Sequence, residues 1–505
     1  MNFTCGPVRA EDLAPFAPTV WARIQVYHPQ QFLTQTIDHA RNIHPHPSLH
    51  ILPAILLGAW GYPDFHGLSQ DDPVTVTFCR HDGEEHGLDW VARAKLTDAS
   101  PINSTLELQG LKSKKMAEWT IVGRNEKFLS HAEANQNTLF PTTAKIPTFP
   151  SLQIELMDLP IKLFIGGLEG TILQNIAQAQ TLGGSLPAIS VLNLVLNLAR
   201  QIENMECQLS AAEGKLEMQI SVHARNGSDL AMLFDAPADD GGAAGLEAFL
   251  PPGGEMRWVC RSNPNVTKLL VHHIFDALFV YNKDHTIADD SDRDVYNFFN
   301  TVWNLCGGLT VARATFVDGE NPVLYKLWAA SLTPDQLGVW VDFVYNRIMP
   351  TVAREIIKMF WDGEVAVETK AIPKTFVYKK HPISRATINL DLTDGDTACH
   401  KYGQSYYYCA FGNFVAVTNS EKSIRSLIDE IASGVLPHAA DDSQKLEHGT
   451  VFRFQSDRVP QSQKWIFPPL DLDLKFEAGT ATLKMSIHSK LFGKWLQGRR
   501  DAATD

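Results

Sequence analysis

Histidine is the side chain whose density most suggests chemistry in this protein. His39, His44, His46 and His50 crowd the segment DHARNIHPHPSLH, and His28, His66, His81 and His86 are close in sequence. Neutral imidazoles gathered this way are ligands for zinc or copper. The His-Pro-His-Pro run is extended, however, with no Cys or Glu at a fixed ligand spacing and no HExxH helix. It reads as a His-rich surface loop, with His44, His46 and His50 kept as weak metal candidates. His223 and His488 form a second set, at matching places in GKLEMQISVHAR and GTATLKMSIHSK. They would make two half-sites of one centre, or would simply face solvent from strands whose Val222 and Ile487 point the other way.

Other motifs fail on position. Asp290, Asp292 and Asp294 have the alternation of a calcium loop, but Val295 stands where Gly is needed and Thr301 where Glu is needed. ADDSDRD reads better as the acidic start of a helix over VYNFFNTVWNL. There is no GxSxG and no SxxK, and GGLEG and CGGLT lack a phosphate-cradling frame. Trp303, Trp328, Trp340, Phe343, Phe360 and Trp361 would line an apolar pocket, yet their helical spacing fits a core. No catalytic residue and no cofactor is expected.

Composition narrows the partners. The protein has 505 residues and a formal charge of −13, with 44% hydrophobic and 20% charged residues. These are globular values, and the acidity argues against nucleic acid or an anionic membrane as partner. The longest basic groups, KSKK at Lys112–Lys115 and Arg499-Arg500, are short enough to be solvated faces. AISVLNLVLNLA, the most apolar run, is too short to span a bilayer, so an integral membrane helix is not expected. The seven cysteines have no zinc spacing; Cys399 and Cys409 are the one pair that would bridge, if a turn lay between them.

The elements that must hold these side chains are written twice. Asp82-Gly83-Glu84 recurs as Asp318-Gly319-Glu320 and Ala94-Lys95-Leu96-Thr97 as Ala330-Ser331-Leu332-Thr333, both 236 positions on. Each Asp-Gly lies between strand-like runs, a hairpin signal. VWARIQVYHPQQFLTQTI and MRWVCRSNPNVTKLLVHHI both read as strand, X-Pro and helix, with Pro29 and Pro264 235 apart. TIVGRNEKFLSH matches YYCAFGNFVAVT at 287, QIELMDLP matches RFQSDRVP at about 300, and the two His-bearing strands match at 265. The drift in spacing reflects unlike helical insertions. One copy adds a helix capped by Thr333-Pro334-Asp335 and broken by Pro350, then TVAREIIKMFWDG closed by Gly363. The other adds helices over Leu163–Leu182 and Ala188–Met205.

The expected fold class is α+β, a tandem duplication of an antiparallel sheet with helices on one face. Residues 17–248 form the first repeat and 249–498 the second, with tails at 1–16 and 499–505. DAPADDGGAAGLEAFLPPGG reads as the junction. In general organisation alone the plan resembles exported bacterial proteins built from tandem α+β repeats, and no motif carries a residue across. The expected function is a non-catalytic binding or scaffold protein for a partner protein or an apolar ligand. The alternative is a hydrolase with a site between the halves, metal-dependent if the histidines serve it. Ala10-Glu11-Asp12 resembles a processed junction, which favours export to the periplasm or beyond; a cytoplasmic protein with a frayed N-terminus is the alternative.

Overall fold

A computed structural model of the protein describes residues 19–43, 67–80, 88–97, 110–124, 126–141, 147–157, 161, 166, 195–212, 214–235, 246–250, 256–261, 309–315, 323–330, 332–358, 364–394, 398–433, 449–456 and 469–504. The structure is a mixed α/β one in which strands predominate and every pairing described below is antiparallel. Two compact units divide it, the first made of residues 1–164, 203–222 and 488–493, the second of 165–202, 223–487 and 494–505.

The first unit is built from β1 (Thr19–Tyr27), β2 (Val74–Arg80), β3 (Leu88–Ala94), β4 (Lys112–Met116), β5 (Trp119–Gly123), β6 (Ser151–Leu156) and most of β7 (Ile202–Ala212) and β8 (Lys215–Ala224). Its sheet runs β4-β5-β3-β2-β1-β6-β7. Gly214, at φ +79°, makes the turn from β7 into β8; a side chain there would be strained. Helices α1 (Pro29–Ile43), α2 (Glu126–Ala134) and the single turn α3 (Gln136–Leu139) belong to this unit. Pro29 starts α1 because its fixed φ suits the first helical position and its missing N–H costs nothing there. Cys79, Val91, Ile121, Leu129, Ala132, Leu139 and Phe140 form the core.

The second unit holds β9 (Met256–Arg261), β10 (Leu309–Thr315), β11 (Val323–Ala329), β12 (Glu364–Tyr378), β13 (His381–Asp394), β14 (Ala398–Ala410), β15 (Phe414–Thr418), β16 (Thr450–Gln455), β17 (Leu470–Glu477) and β18 (Thr480–His488). Its sheet runs β12-β13-β14-β15-β11-β10-β9-β16-β17-β18. Helices α4 (Asp229–Leu233), α5 (Pro334–Phe343), α6 (Met349–Lys358) and α7 (Glu421–Ala432) pack here, and α8 (Ser489–Thr504) follows the last strand.

The two strand orders coincide. β5-β3-β2-β1-β6-β7 corresponds strand for strand to β15-β11-β10-β9-β16-β17. Registers coincide as well. Ile24 faces Val76 and, 235 positions on, Val259 faces Val311; Val76 faces Ala92, and Val311 faces Leu327 at the same shift. Gly479, at φ +76°, turns β17 into β18 as Gly214 does for β7 and β8.

Several sequence readings need correction. The shift at β3 and β11 is 235, not the 236 of the Ala94–Thr97 match, and a one-residue slip would turn every side chain to the other face; the two Asp-Gly steps lie outside the described residues. TIVGRNEKFLSH is not the counterpart of YYCAFGNFVAVT at 287, since β5 occupies the place of β15, beyond that segment's first strand. Pro350 does not break the helix. A π-helical turn, Val344–Ile348, passes α5 into α6, and Pro350 then lies in the first turn of α6, where its ring is tolerated. The Ala188–Met205 helix overruns, because β7 begins at Ile202. Cys399 and Cys409 share one continuous strand, β14, about 33 Å apart at 3.3 Å per residue, and Cys409 is a free, buried thiol.

Helices also cover both faces of the second sheet, not one. Trp328, Tyr408, Val415 and Val417 pack under α5, the π turn and α6, while Leu327, Tyr407, Cys409, Phe414 and Ala416 pack under α7. β15, FVAVT, is therefore buried at every residue, which explains an apolar run without alternation. Thr333 caps α5 as its sequence implies, its hydroxyl accepting from Gln336 N while Gln336 Oε1 accepts from Thr333 N.

Candidate functional site

His44, His46 and His50 lie outside the described residues, as do Asp290, Asp292, Asp294, Trp303, Phe360 and Trp361. His223 is half-buried near the end of β8, its Nδ1 3.0 Å from Thr480 Oγ1 at the start of β18. It is held by a neighbour within the second unit and does not stand free at the surface. His488 ends β18 in the first unit. Among the described residues no group of three His, Cys, Asp or Glu side chains is placed to hold a metal ion.

Among the described histidines, His39 is the buried one. It is buried on α1, with Nδ1 3.0 Å from Ser489 Oγ and Nε2 2.9 Å from the Ala212 carbonyl oxygen. That oxygen only accepts, so in the neutral ring Nε2 carries the proton and Nδ1 accepts from the Ser489 hydroxyl. A serine on a histidine is the start of a nucleophile–base pair. Two features oppose that use here. Ser489 is fully buried, leaving a substrate no approach, and the third group is a backbone C=O rather than a carboxylate. Asn42 Nδ2 reaches Ser489 Oγ at 3.4 Å, and Ser489 N donates to Gly214 O at 3.3 Å. The cluster fastens the start of α8 to α1 and to the β7–β8 turn. Sequence separation hides it: His39 and Ser489 lie 450 positions apart.

Charge is buried on the first sheet at Arg23. Its guanidinium pairs with Glu155 and donates to Thr138 O at 3.1 Å and Leu139 O at 3.4 Å, at the end of α3. Arg93 lies between the Trp119 and Phe140 rings, 4.5 and 4.9 Å from their centroids, and donates to Phe140 O at 3.3 Å. Burial, with the Arg23 charge adding to it, lowers the Arg93 guanidinium's affinity for its proton. Both arginines serve carbonyls at a helix C-terminus, where positive charge is favoured.

In the second unit the aromatic residues form core. Trp328 and Trp340 meet edge to face at 5.2 Å, and Tyr408 contacts both at 6.3 and 6.4 Å. Phe343 is packed against the same cluster. Tyr345, in the π turn, hydrogen-bonds Tyr408 through paired hydroxyls, and the Thr369 hydroxyl donates to the Tyr345 carbonyl. Asn346 ties the same turn to β12, accepting from Ala371 N at 2.9 Å. Burial raises the pKa of both phenols, that of Tyr408 well above the ordinary range. Burial likewise pushes the Cys409 thiol up to about 12.

Beyond this core, β12, β13 and β14 continue as a three-stranded arm. β15 pairs with β14 only over Tyr407–Ala410, while β13 pairs with β14 through to Ala398. Ile372, Val377 and Tyr402 are exposed on the arm, and Val339 is exposed on α5. Its hairpin turn, Lys379-Lys380, has both residues at positive φ, 46° and 69°. Lys379 Nζ reaches Asp429 of α7 at 2.7 Å and the Tyr378 hydroxyl reaches it at 3.1 Å. Arg425 of α7 covers the Phe376 and Tyr378 rings at 4.8 and 5.0 Å. The turn is thus seated on α7. Sequence reasoning missed the arm because Pro373 and the lysines around it resemble a loop.

Known proteins add little. No family model matches the sequence and no curated protein matches it. A solved structure described as "Structure of crystal form IV of TP0453" is similar over 40% of this protein and 76% of that one, with 8% identity and a TM-score of 0.20. At that score the likeness carries no argument. Among the described residues no helix is long and apolar enough to cross a membrane.

Proposed function

We propose that the protein is a non-catalytic binding protein, a duplicated α+β unit spanning 17–248 and 249–498 in which the second copy carries the recognition element. The observation behind this is the contrast between the sheets: equal strand order across six strands, equal register across three of them, and then, among the described residues, two extra strands, β12 and β13, with helices α5 and α6, at one edge of the second. Recognition elements are commonly insertions on a rigid scaffold. The occupant proposed is a protein, because the arm presents a polar outer strand with single apolar residues, Ile372, Val377 and Tyr402, rather than a concave apolar site. Export from the cytoplasm is proposed with it.

A photo-crosslinking amino acid at Tyr402, and separately at the first-unit position Lys112, tests the reading in the source cell. One defined partner captured from Tyr402 alone is the expected result. Equal capture from both positions, or turnover of ester, peptide or phosphoester substrates by the purified protein, would overturn it. The mature N-terminus of the same preparation tests the export proposal.

A further inference from the structure

Asn226-Gly227 is the one Asn-Gly step in the whole sequence, and the fold places it at an exposed corner of the second unit. Asn226 and Gly227 are both exposed. Arg225 O accepts from Ser228 N at 3.1 Å, closing a tight turn with Gly227 at φ +73°, the conformation that favours glycine at the third turn position. Nothing lies within 4 Å of the place a Gly227 Cβ would take. The turn's hydrogen bond is donated by Ser228, so Gly227 N–H is not needed to hold it.

From this we infer that Asn226 is a site of spontaneous deamidation and isomerisation, independent of the binding reading above. Hydroxide from solvent removes the Gly227 amide proton, and that nitrogen attacks Asn226 Cγ. The Asn226 Cγ–Nδ2 bond breaks and the leaving nitrogen takes a proton from water, departing as ammonia. Water then opens the five-membered succinimide at either of its two carbonyls. Opening at Cγ leaves aspartate; opening at the backbone C=O carbon of residue 226 leaves isoaspartate. The net change is one water consumed and one ammonia released, with no oxidant or cofactor. The absent Gly227 side chain matters twice, leaving the attacking nitrogen unshielded and letting the corner rotate towards the attack geometry.

The position makes the product consequential. Ser228 caps α4, accepting from Ala231 N at 3.1 Å, and Arg225 N donates to Gln201 O at 2.9 Å. Isoaspartate lengthens the backbone by a methylene between those anchors. Leu230 and Leu233 of α4 are buried against Ala224, and Phe234 packs on Phe476 at 5.2 Å. Lengthening the turn displaces this seat.

The test is a time course of the full folded protein in mildly alkaline buffer, read by peptide mapping and by methyl transfer from a protein isoaspartyl methyltransferase. Asn226 is expected to convert several-fold faster than every other asparagine, and Asn226→Gln to abolish the methyl acceptor while leaving the fold's circular dichroism unchanged. The same protein unfolded in urea is the reference. If it loses the Asn226 amide while the folded protein keeps it, the native turn protects the site and the inference fails. It fails equally if another asparagine converts first in the folded protein.

Discussion

Where the first unit's sheet, among the described residues, ends in β4, a five-residue strand with three lysines, the second continues through β14 into β13 and β12. Short, Lys-bearing edges resist further pairing. The second unit meets the same problem by lengthening the edge, then covering one face of it with α5, the π turn and α6. Buried charge differs between the units in the same sense. Arg23 of β1 pairs with Glu155 of β6 and is nearly inaccessible, but its place in β9 is taken by Trp258. On the neighbouring strands β16 and β17, Arg453 pairs with Asp473 at 2.8 Å, more open to solvent at the arginine. The first unit holds its α3 corner with buried charge, and the second has an indole at the matching place in β9. One strand plan thus accepts either side chain, although the Trp258 indole N–H is buried without a hydrogen-bond partner among the described residues.

The sharpest way to break that contrast is to remove the charges. Arg23→Met should destabilise the first unit by about 3–5 kcal/mol, since Glu155 and two helix-end carbonyls lose a buried partner. Arg453→Met should cost about half as much, since it removes the pairing with Asp473 where Arg23 holds a carboxylate and two carbonyls. Denaturant unfolding followed by fluorescence checks both, and equal losses would erase the distinction.

Next in size is the approach of helices. A Cβ on Gly493 would fall on the Asn42 carbonyl oxygen, with the Asn42 carbonyl carbon at 3.1 Å and Ile43 Cα at 3.3 Å. Gly493→Ala should therefore cost about 2–3 kcal/mol through overpacking. Gly338 of α5 has only Pro373 Cβ at 3.5 Å and Ser384 Oγ at 3.9 Å before it, so Gly338→Ala should be neutral or stabilise by about 0.5–1 kcal/mol from helix propensity. Thermal melts of the two variants read the opposite signs.

The phenol pair comes third. Tyr408→Phe leaves the Tyr345 hydroxyl buried without its partner and should cost about 1–3 kcal/mol, whereas the double Phe variant should recover most of it. Alkali sharpens the point. Both phenols ionise at higher pH folded than unfolded, so their stabilising contribution is complete below about pH 10 and is lost as pH rises above it. The double variant should flatten the fall in stability between about pH 9 and about pH 11. Cys409 adds its own loss in that range, from its ordinary 9.0 towards about 12, and Cys409→Ala separates the two.

Smallest is the turn at the arm's seated end. Lys379 and Lys380 hold positive φ without being glycine, where a two-residue hairpin favours Asn-Gly. Lys380→Gly should stabilise by about 1 kcal/mol, measured as a shift in denaturant midpoint. Lys379 is left in place because it meets Asp429.

Periodicity and punctuation are local, and what depends on them was readable from the residues. Alternation placed β8 and β18; X-Pro steps marked the ends of β1 and β9, with Pro29 the start of α1; Thr333-Pro334-Asp335 encoded a cap. Of the spaced matches between distant segments, the one at β3 lies one residue off the register, and the one at 287 pairs β5 with the wrong strand. The candidate site was less legible. His39 stood out only by its neighbouring histidines, and nothing near it named Ser489, Ala212 or Asn42 as its partners. Trp328, Tyr345 and Tyr408 became one cluster only when α5, the π turn and β14 stacked. The arm was hidden because its edge strand needs Lys and Pro on its open side, which is the composition of a loop. Sequence by itself determined which residues alternate, cap and turn, since those choices are settled within a few positions along the backbone. Tertiary structure alone decided which histidine is buried, which tyrosines share a hydrogen bond and which sheet edge is extended, because each depends on groups that folding brings together from distant parts of the sequence.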